Sequence, residues 1–444
     1  MRKLGIILLS NIITLSMIAG CSQGEQAAQS KNDTGTVESG KKETAKVNEE
    51  PVTLNLFAGQ DLSDDLWNLL LHEPLKKKYP YITVNIVKKG KGIQDLVAGG
   101  ANFDLYTEFQ GYLGNLIQVG LLEDITPYAK KNNIDLNRFD PIYINALKEY
   151  SDKGEVYGLP YYRQANALYY NKDIFDKFGV PYPTDGMTWE DTIELARKVT
   201  RQDGGIQYYG LDPEHATRLA FPLSLVILNG KTNKAEINND QWRKVFQVAQ
   251  SMYSIPGNIP KKTTDLNGGG IVRFMTDRNI AMLATINIID RLKDASTNGL
   301  NWDMVQYPSY SGMPNVYGMV DFAVIGATKT SKNKDAAMKV IEVFTSDEVQ
   351  LLASRKRPVP SPLVNPEMKT QFAADIPYAQ GKNIPAFFKS TPAPAPRFSD
   401  YYTNGRDILN KYYDDFVLGK KDMNTALREA EEELNQKIGE LSKK

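Results

Sequence analysis

Apolar and polar positions change period several times along the chain. Val52-Thr53-Leu54-Asn55-Leu56-Phe57 alternates with the period of two that marks a strand. Residues 66–78 repeat at helical spacing, and Pro74, which has no N–H to donate, is expected to kink or end that helix. A second strand pattern covers 82–87. A short helical one covers 93–97 before Gly99-Gly100, and Phe103-Asp104-Leu105-Tyr106 gives a third strand. The order strand, helix, strand, helix, strand predicts an α/β fold with a parallel sheet covered by helices.

Further on the helices are plainer. Thr188 stands as a cap before 189–199, with Asp191 three residues on as its capping-box partner. Over 333–345, Ala336, Ala337, Val340, Ile341 and Phe344 share one face. Near the end, Leu427, Ala430, Leu434, Ile438 and Leu441 form another apolar stripe, with Glu433 and Lys437 expected to pair outside it. Pro-rich 358–362 and 392–396 are rigid connections or surface loops. No internal repeat is visible.

The first fifty residues follow a different rule. Arg2 and Lys3 precede an apolar stretch over 4–18, too short to span a bilayer comfortably, which ends in Ile18-Ala19-Gly20-Cys21. Small residues followed at once by cysteine make the lipobox of bacterial lipoproteins, with Ile18 where Leu is commoner. Cys21 is the one cysteine in the chain and is expected to carry lipid after residues 1–20 are removed. Residues 21–50 are polar, with almost no large apolar side chain, and are expected to form a flexible tether. The globular part then begins near Pro51, exported and held at the extracytoplasmic face of the cell membrane.

Composition narrows the chemistry. The 444 residues suggest two or three domains at about 150 residues each. Lys plus Arg and Asp plus Glu both number 53, so the basic excess of a general nucleic-acid binder is absent. One cysteine excludes an internal disulfide and a multi-cysteine zinc site. Two distant histidines, His72 and His215, speak against a histidine metal cluster, and no metal or other cofactor is expected. No G-x-S-x-G, H-E-x-x-H or G-x-x-x-x-G-K motif occurs. Gly268-Gly269-Gly270 before a short helix over 271–275 could receive an anion or serve as a hinge-like loop, and the loop is favoured. Asp61-x-Ser63-x-Asp65 lacks the glycine and distal Glu of a calcium loop, and a solvated helix start is the better reading.

Tyrosine is abundant, 24 against 4 Trp, and falls in doublets at 161–162, 169–170, 208–209, 401–402 and 412–413. A sugar ring has an apolar C–H face that packs on an aromatic ring, and hydroxyls that need planar or charged partners. Tyrosines beside Asp, Glu, Asn, Gln and Arg supply both. Core packing is the competing account of the same doublets.

Residues 154–199 carry a more specific signal: Gly-Glu-Val-Tyr-Gly-Leu-Pro-Tyr-Tyr, then Ala-Leu-Tyr-Tyr-Asn-Lys-Asp-Ile-Phe-Asp-Lys-Phe-Gly-Val, then Thr-Trp-Glu-Asp. This block resembles the bacterial extracellular solute-binding proteins of family 1, the maltose-binding-like receptors of sugar ABC importers. Phe103-Asp104 and 120–125 before it, and 274–282, 331–337 and 426–441 after it, fall in the family's order. Where the family often has Gly-Trp after Ala281-Met282, this chain has Ala284-Thr285-Ile286-Asn287.

The resemblance implies two α/β lobes with the ligand in the cleft between them, the type II binding-protein fold. Lobe one would take 51–162 and 312–358, and lobe two 163–311 and 359–444. Strand ends nominate the contacts: Gln60 and Asp61, Thr107 and Glu108, the first crossing Tyr161-Tyr162-Arg163, Asn287, Tyr317 and Asp321, and finally Arg397, Tyr401 and Tyr402. The expected function is capture of a carbohydrate, an oligosaccharide by preference, and its delivery to ABC permease subunits. The receptor would be monomeric, would bind no nucleic acid and would not be an enzyme. Arg163 and Arg397 could pair with a uronate carboxylate. The alternatives are a lipid-anchored enzyme acting on polysaccharide, and a receptor for ferric ion or polyamine.

Overall fold

The computed structural model describes residues 50–443 apart from 89, 91 and 261–265. The signal peptide, Cys21 and nearly all of the tether lie outside the described residues. Two five-stranded sheets carry the structure. The first runs β2 (Ile82–Lys88), β1 (Val52–Ala58), β3 (Leu105–Phe109), β11 (Phe322–Ala327), β4 (Leu159–Arg163). β1 is parallel to both β2 and β3, as the strand-helix alternation predicts, while β11 returns antiparallel between β3 and β4. β3 starts at Leu105 rather than Phe103. Asp104 turns its carboxylate on the Asn55 amide (3.0 Å) and the Ser331 hydroxyl (2.6 Å), and the regular ladder begins after it.

Pro74 does not end its helix. Ser63 caps the start at Asp64, the turns widen over Asn68–His72, and the Glu73 amide reaches back five residues to Asn68. That widened turn carries the chain past the missing N–H into Glu73–Lys78. The Asp61-x-Ser63-x-Asp65 stretch is therefore a helix start.

The second sheet runs β6 (Arg201–Asp203), β7 (Ile206–Asp212), β8 (Ile280–Ile286), β5 (Asn166–Asn171), β9 (Trp302–Gln306). β7 and β8 are parallel, and β5 is antiparallel to both of its neighbours. β5 reads as a continuous apolar run because both faces are covered. Leu168 and Tyr170 enter one core with the helices Trp189–Val199 and Asp240–Tyr253; Ala167 and Tyr169 enter another with Phe274, Trp302 and Phe387. The doublet Tyr169-Tyr170 is thus one ring per face. A short parallel pair, β10 (Val316–Met319) with β12 (Thr391–Ala393), forms a separate two-stranded ladder.

Local expectations meet mixed outcomes. Thr188 and Asp191 form the reciprocal capping box on Trp189–Val199. The helix Lys334–Phe344 buries Ala337, Val340, Ile341 and Phe344 but leaves Ala336 only partly covered. On Met423–Leu441 the stripe is buried as far as Ile438, and Glu433 pairs with Lys411 (2.6 Å) and Tyr412 (2.8 Å) of the neighbouring helix Tyr402–Val417 instead of Lys437. The triple glycine has a steric cause: a Cβ on Gly270 would stand 2.6 Å from the Asp212 carboxyl carbon, and Gly268 has φ 107. Asp212, buried against Arg273, is the protein's own carboxylate at that turn.

Candidate functional site

A cavity of about 140 Å³ lies where the ends of both sheets meet. From the first sheet, the chain leaving β3 makes a tight turn at Gln110–Tyr112, which sets Phe109 and Tyr112 at its wall; Asp321 enters just before β11. From the second sheet, the loop after β7 supplies His215 and Arg218, and the end of β8 supplies Ile286. Gln164, in the crossing between β4 and β5, lies at the seam. The C-terminal segment closes the cavity with Phe398, Tyr402 and Arg406. This is the place where a two-lobed α/β fold holds a ligand, because loops from both sheets converge there.

One side is aromatic. The Tyr402 ring stands 4.8 Å from Phe398 and 5.8 Å from Tyr112, centre to centre, and Phe398 continues to Phe221 at 6.1 Å. The other side is ionic. Glu214 holds a left-handed backbone (φ 69) and accepts from Arg218 Nε at 2.9 Å and Thr285 Oγ1 at 2.5 Å. Burial alone would raise its pKa, but Arg218, His215 and these hydrogen bonds outweigh burial and hold it at about 2. A non-glycine residue in that conformation is strained, and the network that fixes it also fixes where Arg218 points.

Burial, with the Arg218 charge, lowers His215 to about 4, so at neutral pH its ring is uncharged; Nδ1 meets the Thr217 hydroxyl at 2.6 Å. Burial raises Asp321 to about 6 against the opposing pull of Arg218. Arg406 Nη1 donates to the Tyr112 hydroxyl at 2.5 Å. Arg218 and Arg406 are thus balanced by Glu214 and Asp321, and the site suits a neutral ligand with many hydroxyls. Among the described residues no three His, Cys, Asp or Glu side chains are grouped to hold a metal ion.

The nominated residues separate into groups. Asp321 and Tyr402 line the cavity. Gln60, Thr107, Tyr161 and Tyr162 form a packed cluster beside Phe109: Thr107 donates to the Gln60 carbonyl at 2.9 Å, and the Tyr162 hydroxyl faces Gln60 Oε1 at 3.4 Å. Glu108 is buried there too, its carboxylate under Gly59 and accepting from the Phe109 amide at 2.9 Å. Arg163 and Tyr317 meet at 3.3 Å in the crossing, with Arg163 over the Phe388 ring. Asn287 donates to the Pro358 carbonyl. Asp61 accepts from the Trp67 indole at 3.1 Å. Arg397 faces Asp400 at 3.6 Å, and Tyr401 lines a separate groove. The structure gives Arg163 and Arg397 separate partners, and neither lines the cavity.

Tyr112, Gln164, His215, Arg218 and Arg406 were not among the nominated residues. Two of them had a local signal: Gln164 follows Arg163 directly, and Arg406 is four residues beyond Tyr402, on the same helical face.

Comparison with known proteins agrees with this geometry. Residues 71–385 match the model of a family described as bacterial extracellular solute-binding protein. An sn-glycerol-3-phosphate-binding periplasmic protein of Brucella melitensis is 23% identical over 314 residues, 65% of this chain and 69% of that one. An ABC substrate-binding protein of Listeria monocytogenes, solved with cycloalternan, superposes with a TM-score of 0.71 at 22% identity, covering 88% of this chain and 100% of that one. A sugar transporter protein of Rhizobium etli, solved in an open conformation, gives 0.69 at 22%, covering 86% and 99%. These structures share the two-lobed fold.

Proposed function

The chain belongs to the bacterial extracellular solute-binding proteins, and from that premise we propose that it is the carbohydrate receptor of an ABC importer. The observation that carries the reading is the cavity itself: an aromatic wall of Tyr112, Phe398 and Tyr402 faces Gln164, Arg218 and Asp321. The rings take the C–H face of a sugar, and the amide, guanidinium and carboxylate take its hydroxyls. The balanced charge favours a neutral sugar over a phosphorylated polyol such as the Brucella relative's namesake ligand. The cycloalternan bound by the Listeria protein supports an oligosaccharide.

Binding closes the cleft because only the closed state offers groups from both sheets at once, and the closed form is then presented to the permease. The receptor works as a monomer, anchored on the outer face of the cell membrane by lipid on Cys21. It breaks no bond, in keeping with a family of binding proteins, and a bound sugar is recovered intact after long incubation. The decisive experiment is a thermal-shift screen of neutral mono- and oligosaccharides. A cleft ligand at a hundredfold excess over Kd adds about 2.7 kcal/mol to folding, which moves the melting point measurably. A panel without any such shift overturns the sugar reading. Cys21→Ala should release the protein from the membrane fraction; unchanged retention overturns the anchor.

A further inference from the structure

Tyr112 and Arg406 line two spaces. On one side lies the 140 Å³ cavity; on the other lies an open groove of about 670 Å³ that shares these two residues with it. The 2.5 Å hydrogen bond between the Tyr112 hydroxyl and Arg406 Nη1 is the partition. One wall of the groove is the helix Leu113–Gln118, which follows β3; the other is the start of the helix Tyr402–Val417. The walls are pinned at Gly114, where a Cβ would stand 2.5 Å from the Asp400 backbone, so the space between them is set by main chain.

The groove's chemistry repeats that of the cavity. Tyr401 presents a ring, and Asn115, Thr403 and Asn404 present amides and a hydroxyl. No described residue hydrogen-bonds the side chains of Asn115 or Asn404, whereas the nearby Gln118 is held by the Asp400 carbonyl at 2.9 Å. The 140 Å³ cavity accommodates little more than one ring, while the groove has several times its volume.

We propose that the groove is an extension site: a neutral oligosaccharide seats one ring in the cavity, passes the Tyr112–Arg406 partition and lays its further rings against Tyr401 between Asn115 and Asn404. The proposal rests on the carbohydrate reading above and adds the direction and length of the chain. The partition opens when ligand hydroxyls replace the Tyr112–Arg406 contact, since a hydroxyl can accept from the guanidinium and donate to the phenol oxygen.

The test is calorimetric titration of the globular protein with linear gluco-, manno- and arabino-oligosaccharides of one to five rings. In the bound series, affinity should rise about tenfold from one ring to three, as one or two net hydrogen bonds and a stacking contact would give. In Asn115→Leu/Asn404→Leu and, separately, in Thr403→Val, single-ring affinity should stay at the wild-type value and the gain with length should shrink. Both variants lie on half-buried helical positions, and melting curves check that they are folded. A wild type that binds one ring as tightly as three overturns the extension site and leaves the carbohydrate reading intact. So does a gain with length that survives in both variants. A wild type that binds no member of any series overturns the carbohydrate reading and the groove with it.

Discussion

The first crossing and the C-terminal segment both bring a tyrosine doublet to the cleft, and the structure uses the two differently. Tyr161 and Tyr162 are 3% and 5% exposed. Tyr161 packs on Phe344 at 4.9 Å; Tyr162 packs on Phe109 at 5.6 Å beneath the Arg357 guanidinium. Tyr401 and Tyr402 are half-buried, and each faces a space: Tyr402 the cavity, Tyr401 the groove. The cause is the element. In β4 the ladder with β11 slips between Ala323 and Val324, opposite Tyr162 and Pro160, so the alternation breaks at Tyr161 and both rings stay in one core, touching edge to face at 5.3 Å. Adjacent rings at a helix start are about a third of a turn apart, and at the rim of a cleft both can face solvent.

The largest effect that separates the two doublets is on folding. Tyr161→Ala leaves a hole beside Phe344 and Tyr162 and should cost about 3–5 kcal/mol of stability. Denaturant unfolding reads this directly. A loss under about 1 kcal/mol would mean that the crossing is looser than its burial implies and would restore Tyr161 as a ligand-facing ring.

Tyr402→Ala should show the reverse pattern. Its partly buried ring contributes less to folding than Tyr161, but truncation removes the stacking surface, at about 1–2 kcal/mol of sugar binding, roughly five- to thirtyfold in Kd. Calorimetry against the sugar found by screening checks it. Wild-type affinity in a folded Tyr402→Ala protein would break the contrast, since neither doublet would then touch the ligand.

A smaller effect comes from Asp321, which faces the same cavity. Burial, opposed by Arg218, places its pKa at about 6, above the ordinary carboxylate value. The ionised form is therefore the one that folding disfavours. Its penalty is present above about pH 6 and is relieved as pH falls from 6 toward 4, so this group makes the free protein more stable on acidification. Ligand hydroxyls that donate to the carboxylate favour the ionised form, so affinity moves the other way, falling as pH drops through 6, by at most tenfold per pH unit. Titrations from pH 7.5 to 5, repeated with Asp321→Asn, separate the two signs. Affinity that is flat with pH would remove Asp321 from ligand contact. Glu214, at about 2, does not titrate in this window.

The same contrast explains how much was legible beforehand. Three strands of the first sheet, β1 to β3, could be read from 52–106 because they alternate or lie between clear helices; β4 and β11, buried on both faces, could not. The second sheet could not: β5 and β8 are apolar on both faces and carry no period of two, and β7 loses its alternation where Gly210, Leu211 and Asp212 are all buried. Arg218 and His215 follow β7 directly, so a sequence in which β7 has no pattern gives no strand end from which to place them. Asp321 and Tyr402 were found because family order placed their segments at the cleft. Glu108 and Asn287 also come from the right segments but turn polar atoms to the Phe109 amide and the Pro358 carbonyl. Chain position finds a segment; which face a side chain takes depends on partners elsewhere in the sequence.

Asp61 makes the smallest and sharpest case. It follows β1 at the strand end where a cleft residue belongs, and it carries the carboxylate that a sugar hydroxyl would want. Its Oδ1 instead accepts from the Trp67 indole at 3.1 Å, and Oδ2 lies 3.9 Å from Lys88. Both partners lie in or beside the first sheet, and the indole is fully buried, so the carboxylate satisfies a donor that would otherwise have none. Asp61→Asn keeps an oxygen for the indole and loses only a weak, exposed ionic contact, for a change within about 0.5 kcal/mol in stability and none in sugar affinity. Asp61→Leu removes the acceptor and should cost about 1–3 kcal/mol of stability, again with affinity unchanged. If Asp61→Asn weakens binding tenfold while the melting curve stays in place, the end of β1 reaches the ligand. The cleft would then extend beyond the cavity on the side of the first sheet, with the packed Gln60–Thr107 cluster as its margin rather than part of the core.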